Sequence, residues 1–170
     1  MKNLLITLSL FLTSIYLTAQ APSIEWQKSL GGTASDRARS IQQTTDGGYI
    51  IAGYSTSANG DATINIGSWD YWVVKLDSTG AIDWQKSLGG TGVDEAYSIK
   101  QTTDRGYIVV GVSISIDGDV TGYHGGFDYD CWVVKLDSVG NITWNKCLGG
   151  SLWDDAYSIQ QTIDGGYIVA

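Results

Sequence analysis

The chain has 170 residues, with 10 Lys plus Arg against 18 Asp plus Glu and a net charge of −8. At 43% hydrophobic and 16% charged residues it has the material for a core and is not a disordered tail. Its few basic residues are scattered, which excludes the clustered Lys and Arg that a nucleic-acid or anionic-membrane surface requires.

Lys2 precedes an uncharged, mainly apolar run from Leu4 to Leu17; Ala19-Gln20-Ala21 then supplies small residues, and Pro22 ends any helix. This order predicts a secretory signal peptide over residues 1–21, cut after Ala19 or Ala21. The run is shorter than the roughly 20 apolar residues that a spanning helix needs. The mature chain is therefore expected to be secreted or held at the cell surface, with no membrane span.

Residues 22–170 repeat. Trp26, Trp84 and Trp144 head WQKSLGG, WQKSLGG and WNKCLGG, at intervals of 58 and 60 residues. Asp36, Asp94 and Asp154 keep these intervals, as do Tyr49, Tyr107 and Tyr167. A period of this length decides the fold before any motif is weighed. Each copy predicts four strands, in the first copy Ala38–Thr44, Tyr49–Ser55, Tyr71–Asp77 and Ile82–Leu88, rich in Val, Ile, Tyr and Trp and bounded by Gly and Asp. Residues 24–30 read as an orphan outer strand, 36–90 and 94–150 as two full units, and 154–170 as a third that stops in mid-strand. The chain is thus expected to be a fragment of a longer one, with further repeats as its partners.

The tight turns set the expected register. The first turn reads TDGG, TDRG and IDGG in the three copies. Arg105 would be costly at positive φ, so a type I turn with Gly106 left-handed is predicted. The second turn, DSTG or DSVG, predicts the same geometry at Gly80 and Gly140. Strict alternation from that turn places Trp72, Val74, Leu76, Ile82, Trp84 and Leu88 on one apolar face. Such a ribbon must bury that face against the next copy. The expected fold is all-β, with tandem four-stranded antiparallel propeller blades, about two and a half of them in an incomplete ring. A β-solenoid or an open stack of sheets is the alternative.

KLDSTGAIDWQKSLGG (Lys75–Gly90) and KLDSVGNITWNKCLGG (Lys135–Gly150) resemble the Trp-docking motif of quinoprotein-type propellers, with about one residue fewer between Asp and Gly. TTDGGYI (Thr44–Ile50) resembles the Asp-box hairpin of sialidase-like propellers, with Ile51 in place of an aromatic residue. Residues 24–170 as a whole resemble the tandem repeats of large secreted Bacteroidetes proteins exported by a type IX system, some labelled endoglucanase-like. The resemblance implies architecture. A quinone cofactor is not implied, because the funnel residues that would hold it are missing.

The longer loops, Thr56–Asp70 and Ser113–Asp130, are expected on the face opposite the tight turns, where binding residues usually ride. Their oxygen-rich stretches offer a candidate Ca²⁺ ligand set, Asn59, Asp61 and Asp70 in one copy and Asp117, Asp119 and Asp130 in the next. The plainer reading is that Asn, Asp and Gly make turns. Trp69, Tyr123, Phe127 and Trp153 are candidate ligand-face aromatics. For catalysis the chain offers the single His124 and the adjacent pairs Asp94-Glu95 and Asp154-Asp155, whose members point to opposite sides of a strand. No catalytic set emerges. Cys131 and Cys147 fall opposite each other in the strict register, so a disulfide is expected in a secreted chain.

These features favour a non-enzymatic extracellular repeat scaffold for binding or adhesion, with a glycan or cell-surface ligand. A carbohydrate-binding or glycan-degrading propeller is the alternative.

Overall fold

A computed structural model describes residues 21–126 and 128–170, and every regular element among them is a β-strand. The apolar segment over residues 1–20 lies outside the described residues, as does Phe127. No helix among the described residues is long and apolar enough to cross a membrane. The first sheet is β1 (Asp36–Gln43), β2 (Tyr49–Ser55), β3 (Asp70–Leu76) and β4 (Ile82–Leu88). The second is β5 (Asp94–Gln101), β6 (Tyr107–Ser113), β7 (Asp130–Leu136) and β8 (Ile142–Leu148). A hairpin of β9 (Ile159–Gln161) and β10 (Tyr167–Val169) opens a third. Neighbouring strands are antiparallel and follow chain order, so the fold is a tandem of four-stranded, blade-like meanders, open rather than closed.

Stacking supplies the core. One face of sheet one, with Ile50, Ala52, Tyr71 and Val73, meets Ile99, Val109, Trp132 and Val134 of sheet two. The reverse face of sheet two, with Ile108, Val110, Cys131 and Val133, meets Ala156 and Ile159 of the third unit. β3, β6 and β7 are buried along their whole length. Both faces of the sheets are therefore apolar, not one as strict alternation suggests. That explains the unbroken YWVV and CWVV runs, since a strand covered on both sides has no polar register to keep. Burying each such side chain contributes about 1.5–3 kcal/mol, which a lone meander would forgo on its open faces.

The recurrent tryptophan joins one unit to the next. Trp26, Trp84 and Trp144 each meet a tyrosine at the start of the following unit's second strand (Tyr49, Tyr107 and Tyr167), at ring separations of 5.6, 5.7 and 5.7 Å. The indoles of Trp26 and Trp84 also lie on the following β3–β4-type turn. There Gly80 and Gly140 have φ of 84°, and a Cβ would come within 3.1 and 2.8 Å of the rings. Only glycine meets both demands. Residues 24–30, expected as a strand, form none, because no neighbouring strand supplies a ladder; Trp26 nevertheless docks as Trp84 does.

Two local expectations are corrected. The β3–β4 turn closes with Asp77 N donating to Ala81 O, and a bulge follows at once. Leu76 still faces Ile82, whereas Lys75 faces Trp84 and Trp72 faces Ser87. The same slip in sheet two puts Cys131 opposite Leu148 and Trp132 opposite Cys147. The cysteines thus reach opposite faces of sheet two, one core cluster each, and both are free thiols. A one-residue slip inverts every side chain beyond it, which removes the expected disulfide. The second correction concerns the first turn. Its left-handed residue is the third of the TDGG-type phrase, at Gly47, Arg105 and Gly165 with φ of 84°, 65° and 86°. Arg105 itself takes the strained geometry that the predicted turn would have spared it.

Candidate functional site

On the long-loop face, most candidate oxygens are engaged by backbone. Asn59 Oδ1 accepts from Thr33 N at 2.9 Å, and Asp61 Oδ2 accepts from Gly31 N at 3.1 Å. In the next copy Asp117 Oδ1 accepts from Thr91 N at 2.7 Å, and Asp119 Oδ2 accepts from Gly89 N at 3.3 Å. These loops therefore clamp the LGG connection that leads into their own sheet. Asp36, Asp94 and Asp154 clamp the same connection from the strand side, accepting from Gly32, Gly90 and Gly150 N at 2.7, 2.9 and 2.7 Å.

Asp70 does not join Asp61 in a loop-local ligand set. Its charged neighbours are Asp94 and Asp119 of the following unit. Asp70 and Asp94 are both fully buried. Asp70 Oδ2 accepts from Ile66 N at 2.5 Å, and its Oδ1 has no partner. Burial, reinforced by the Asp94 and Asp119 carboxylates, pushes the Asp70 acid up to about 6 against the N–H groups of Ile66 and Gly67. Asp94 is raised too, by burial, against hydrogen bonds from Ser113, Gly90 and Ser115. In sheet two the corresponding Asp130 faces His124, whose backbone N and Nδ1 lie 2.9 and 2.8 Å from its Oδ2. Among the described residues no group of three or more His, Cys, Asp or Glu side chains is arranged to hold a metal.

The adjacent acid pairs diverge. Asp94 turns into the loop clamp, whereas Glu95 accepts from Arg39 Nε at 2.8 Å and from Tyr97 Oη at 3.2 Å. Asp155 accepts from Trp153 Nε1 at 2.6 Å, away from the Asp154 clamp. Among the described residues the candidate aromatics Trp69, Tyr123 and Trp153 do not form a common platform. Trp69 stacks on Tyr54 at 4.3 Å, Trp153 tilts against Tyr129 at 5.0 Å, and the Tyr123 hydroxyl donates to Asp128 O at 2.8 Å. Burial pushes the Cys131 and Cys147 thiols up to about 11 and about 12, which leaves both without thiolate reactivity near neutrality.

The opposite, tight-turn face holds a feature that none of the loop acids or aromatics indicates. A cleft of about 560 Å³ lies between sheets one and two. Its walls are the β1–β2 turn (Thr45, Asp46), the turn-proximal ends of β3 and β4 (Lys75, Asp83, Trp84), Gln101, Arg105, Tyr107 and the β7–β8 turn (Ser138, Val139). Lys75 is 4% exposed, and its ammonium donates to Leu76 O and pairs with Asp46 at 2.9 Å and Asp83 at 3.4 Å. Lys135 repeats this arrangement with Asp104. The Asp104 carboxyl is held down to about 2, first by the Thr102 hydroxyl and then by Lys135. The signal for this cleft was visible in sequence as TDRG among TDGG and IDGG.

No family model matches the chain, and no curated protein matches it.

Proposed function

We propose that the chain is a non-enzymatic extracellular repeat scaffold for binding or adhesion, exported by way of its N-terminal apolar segment. The observation that carries this reading is the use made of the recurrent polar side chains. The Asp36, Asp94 and Asp154 clamps, the Asn59, Asp61, Asp117 and Asp119 caps and the buried Lys75 and Lys135 all hold backbone or fix turns. Side chains also cross between copies. Gln101 and Gln161 each accept from a turn N–H of the preceding copy, at Thr45 and Thr103, both at 2.9 Å. A residue so employed is not free to transfer protons or attack a substrate. Glu95 is tied to Arg39 and Tyr97, and Asp155 to the exposed Trp153 and Tyr157.

Two measurements test the proposal. N-terminal sequencing of the exported protein should begin at Gln20 or Pro22. Prolonged incubation with cellulose, xylan and mannan should release no reducing ends. Release that Glu95→Gln abolishes in a folded variant would replace the scaffold reading with a glycan-degrading one.

A further inference from the structure

The geometry points to a saccharide-binding site in the cleft between sheets one and two, on the tight-turn face, with Arg105 as the residue that distinguishes it. Among the described residues Arg105 is the one non-glycine residue in the left-handed region, at φ 65°. The same turn position is glycine in both other copies, Gly47 and Gly165. Each copy presents a Trp–Tyr pair beside this turn: Trp26–Tyr49 with Gly47, Trp84–Tyr107 with Arg105, and Trp144–Tyr167 with Gly165. One junction of three therefore carries an arginine in a conformation that arginine disfavours. Its guanidinium, exposed at the cleft, makes no ion pair among the described residues. Strain held where a cavity opens is the mark of a position kept for what its side chain reaches.

The lining indicates the class of ligand. Lys75 and Arg105 are balanced by Asp46 and Asp83, so the cleft has no net charge to attract an ion. It presents donors (Arg105, Gln101) and acceptors (Asp83, Ser138) together, beside the partly exposed indole of Trp84. A neutral pyranose meets these demands. Its C–H face covers the indole, while adjacent hydroxyls both donate to a carboxylate and accept from a guanidinium. The site exists only where two units stack, so binding reads the assembled array.

The test uses the chain as it exists, titrated by calorimetry with cellohexaose, xylohexaose, mannohexaose and maltohexaose up to about 5 mM. At least one hexasaccharide is expected to bind. Arg105→Gly is expected to weaken that binding about tenfold or more without lowering the thermal midpoint, because it removes strain together with the charged donor. Asp83→Ala should weaken it likewise, and Trp144→Ala, at another junction, should leave it unchanged. Failure of all four sugars to bind, or unchanged affinity in Arg105→Gly, overturns the site. Either failure leaves the scaffold reading standing, since that reading rests on the clamps and the stacking.

Discussion

Sheets one and two are one frame built twice, with the same strand order and the same slips of register but different side chains at many positions. Both keep a buried lysine paired to a turn aspartate, and both tie a core tryptophan to a β4-type side chain: Trp72 to Gln85 at 3.0 Å and Trp132 to Asn145 at 3.2 Å. They part, among other places, at Tyr71 and Cys131, at Gly47 and Arg105, and at the first acid of the third strand, which a loop N–H caps in both sheets (Ile66 or His124) but which in sheet two also faces His124 Nδ1. What recurs is spent on stacking. What varies alters local chemistry, and at Tyr71 it also adds a bond across the stack, from its hydroxyl to Trp132 O.

The largest test of this contrast is at the turn glycines. Gly140→Ala puts a methyl group into the Trp84 indole at a left-handed position, and β8 and β4 are both fixed by ladders. A loss of about 2–4 kcal/mol in urea unfolding is expected. Gly80→Ala should cost less, because Trp26 lies on a segment without a ladder and can yield. Equal losses would show that the two junctions are equally rigid.

Asp70→Asn comes next. The Asp70 acid holds its proton more tightly in the fold than in the unfolded chain. Its contribution is therefore complete below about pH 4 and is lost as pH rises through about 6, a change of about 2–3 kcal/mol. The asparagine removes this slope and places an N–H₂ group where the acid has an unpartnered oxygen, so the variant should be the more stable protein at pH 7. Asp130→Asn replaces a carboxyl oxygen that His124 N and Nδ1 both reach, and it should gain nothing. Urea midpoints at pH 4 and pH 7 decide both.

Tyr71→Phe isolates one bond across the stack, the hydroxyl that donates to Trp132 O at 3.0 Å, and should cost about 1–2 kcal/mol by leaving a buried carbonyl short of a donor. The smallest effect belongs to the first turn. Arg105→Gly should stabilise by about 1 kcal/mol, and Gly47→Arg should destabilise by a similar amount, both read as shifts in thermal midpoint.

Much of this frame was legible in the residues. Tyr49–Ser55 and Ile82–Leu88 are strands at the predicted bounds, because Gly and Asp punctuate them and β-branched and aromatic residues fill them. The recurrence of the stacking tryptophans followed from their spacing, but the single face expected for Trp72 and Trp84 did not hold, since the slip puts them in different core clusters. The bulge beyond Lys75 and Lys135 was not legible, since nothing in LDSTGAIDW distinguishes a ladder that slips after its turn from one that does not. The predicted disulfide failed with that single residue of register. The loop acids were found as residues but grouped by sequence proximity, whereas Asp70 belongs with the next unit's Asp94 and Asp119. Propensity alone favours a relaxed turn at Arg105. The chain takes the strained one.

The indole that rests on the following unit's turn gives the array a direction. Sheet one carries its plug, Trp84, on its last strand, and the socket is the β7–β8 hairpin of sheet two. A segment excised between Trp84 and Trp144 would carry one of each, and in-frame duplication of that stretch of gene would lengthen the protein without remaking either joint.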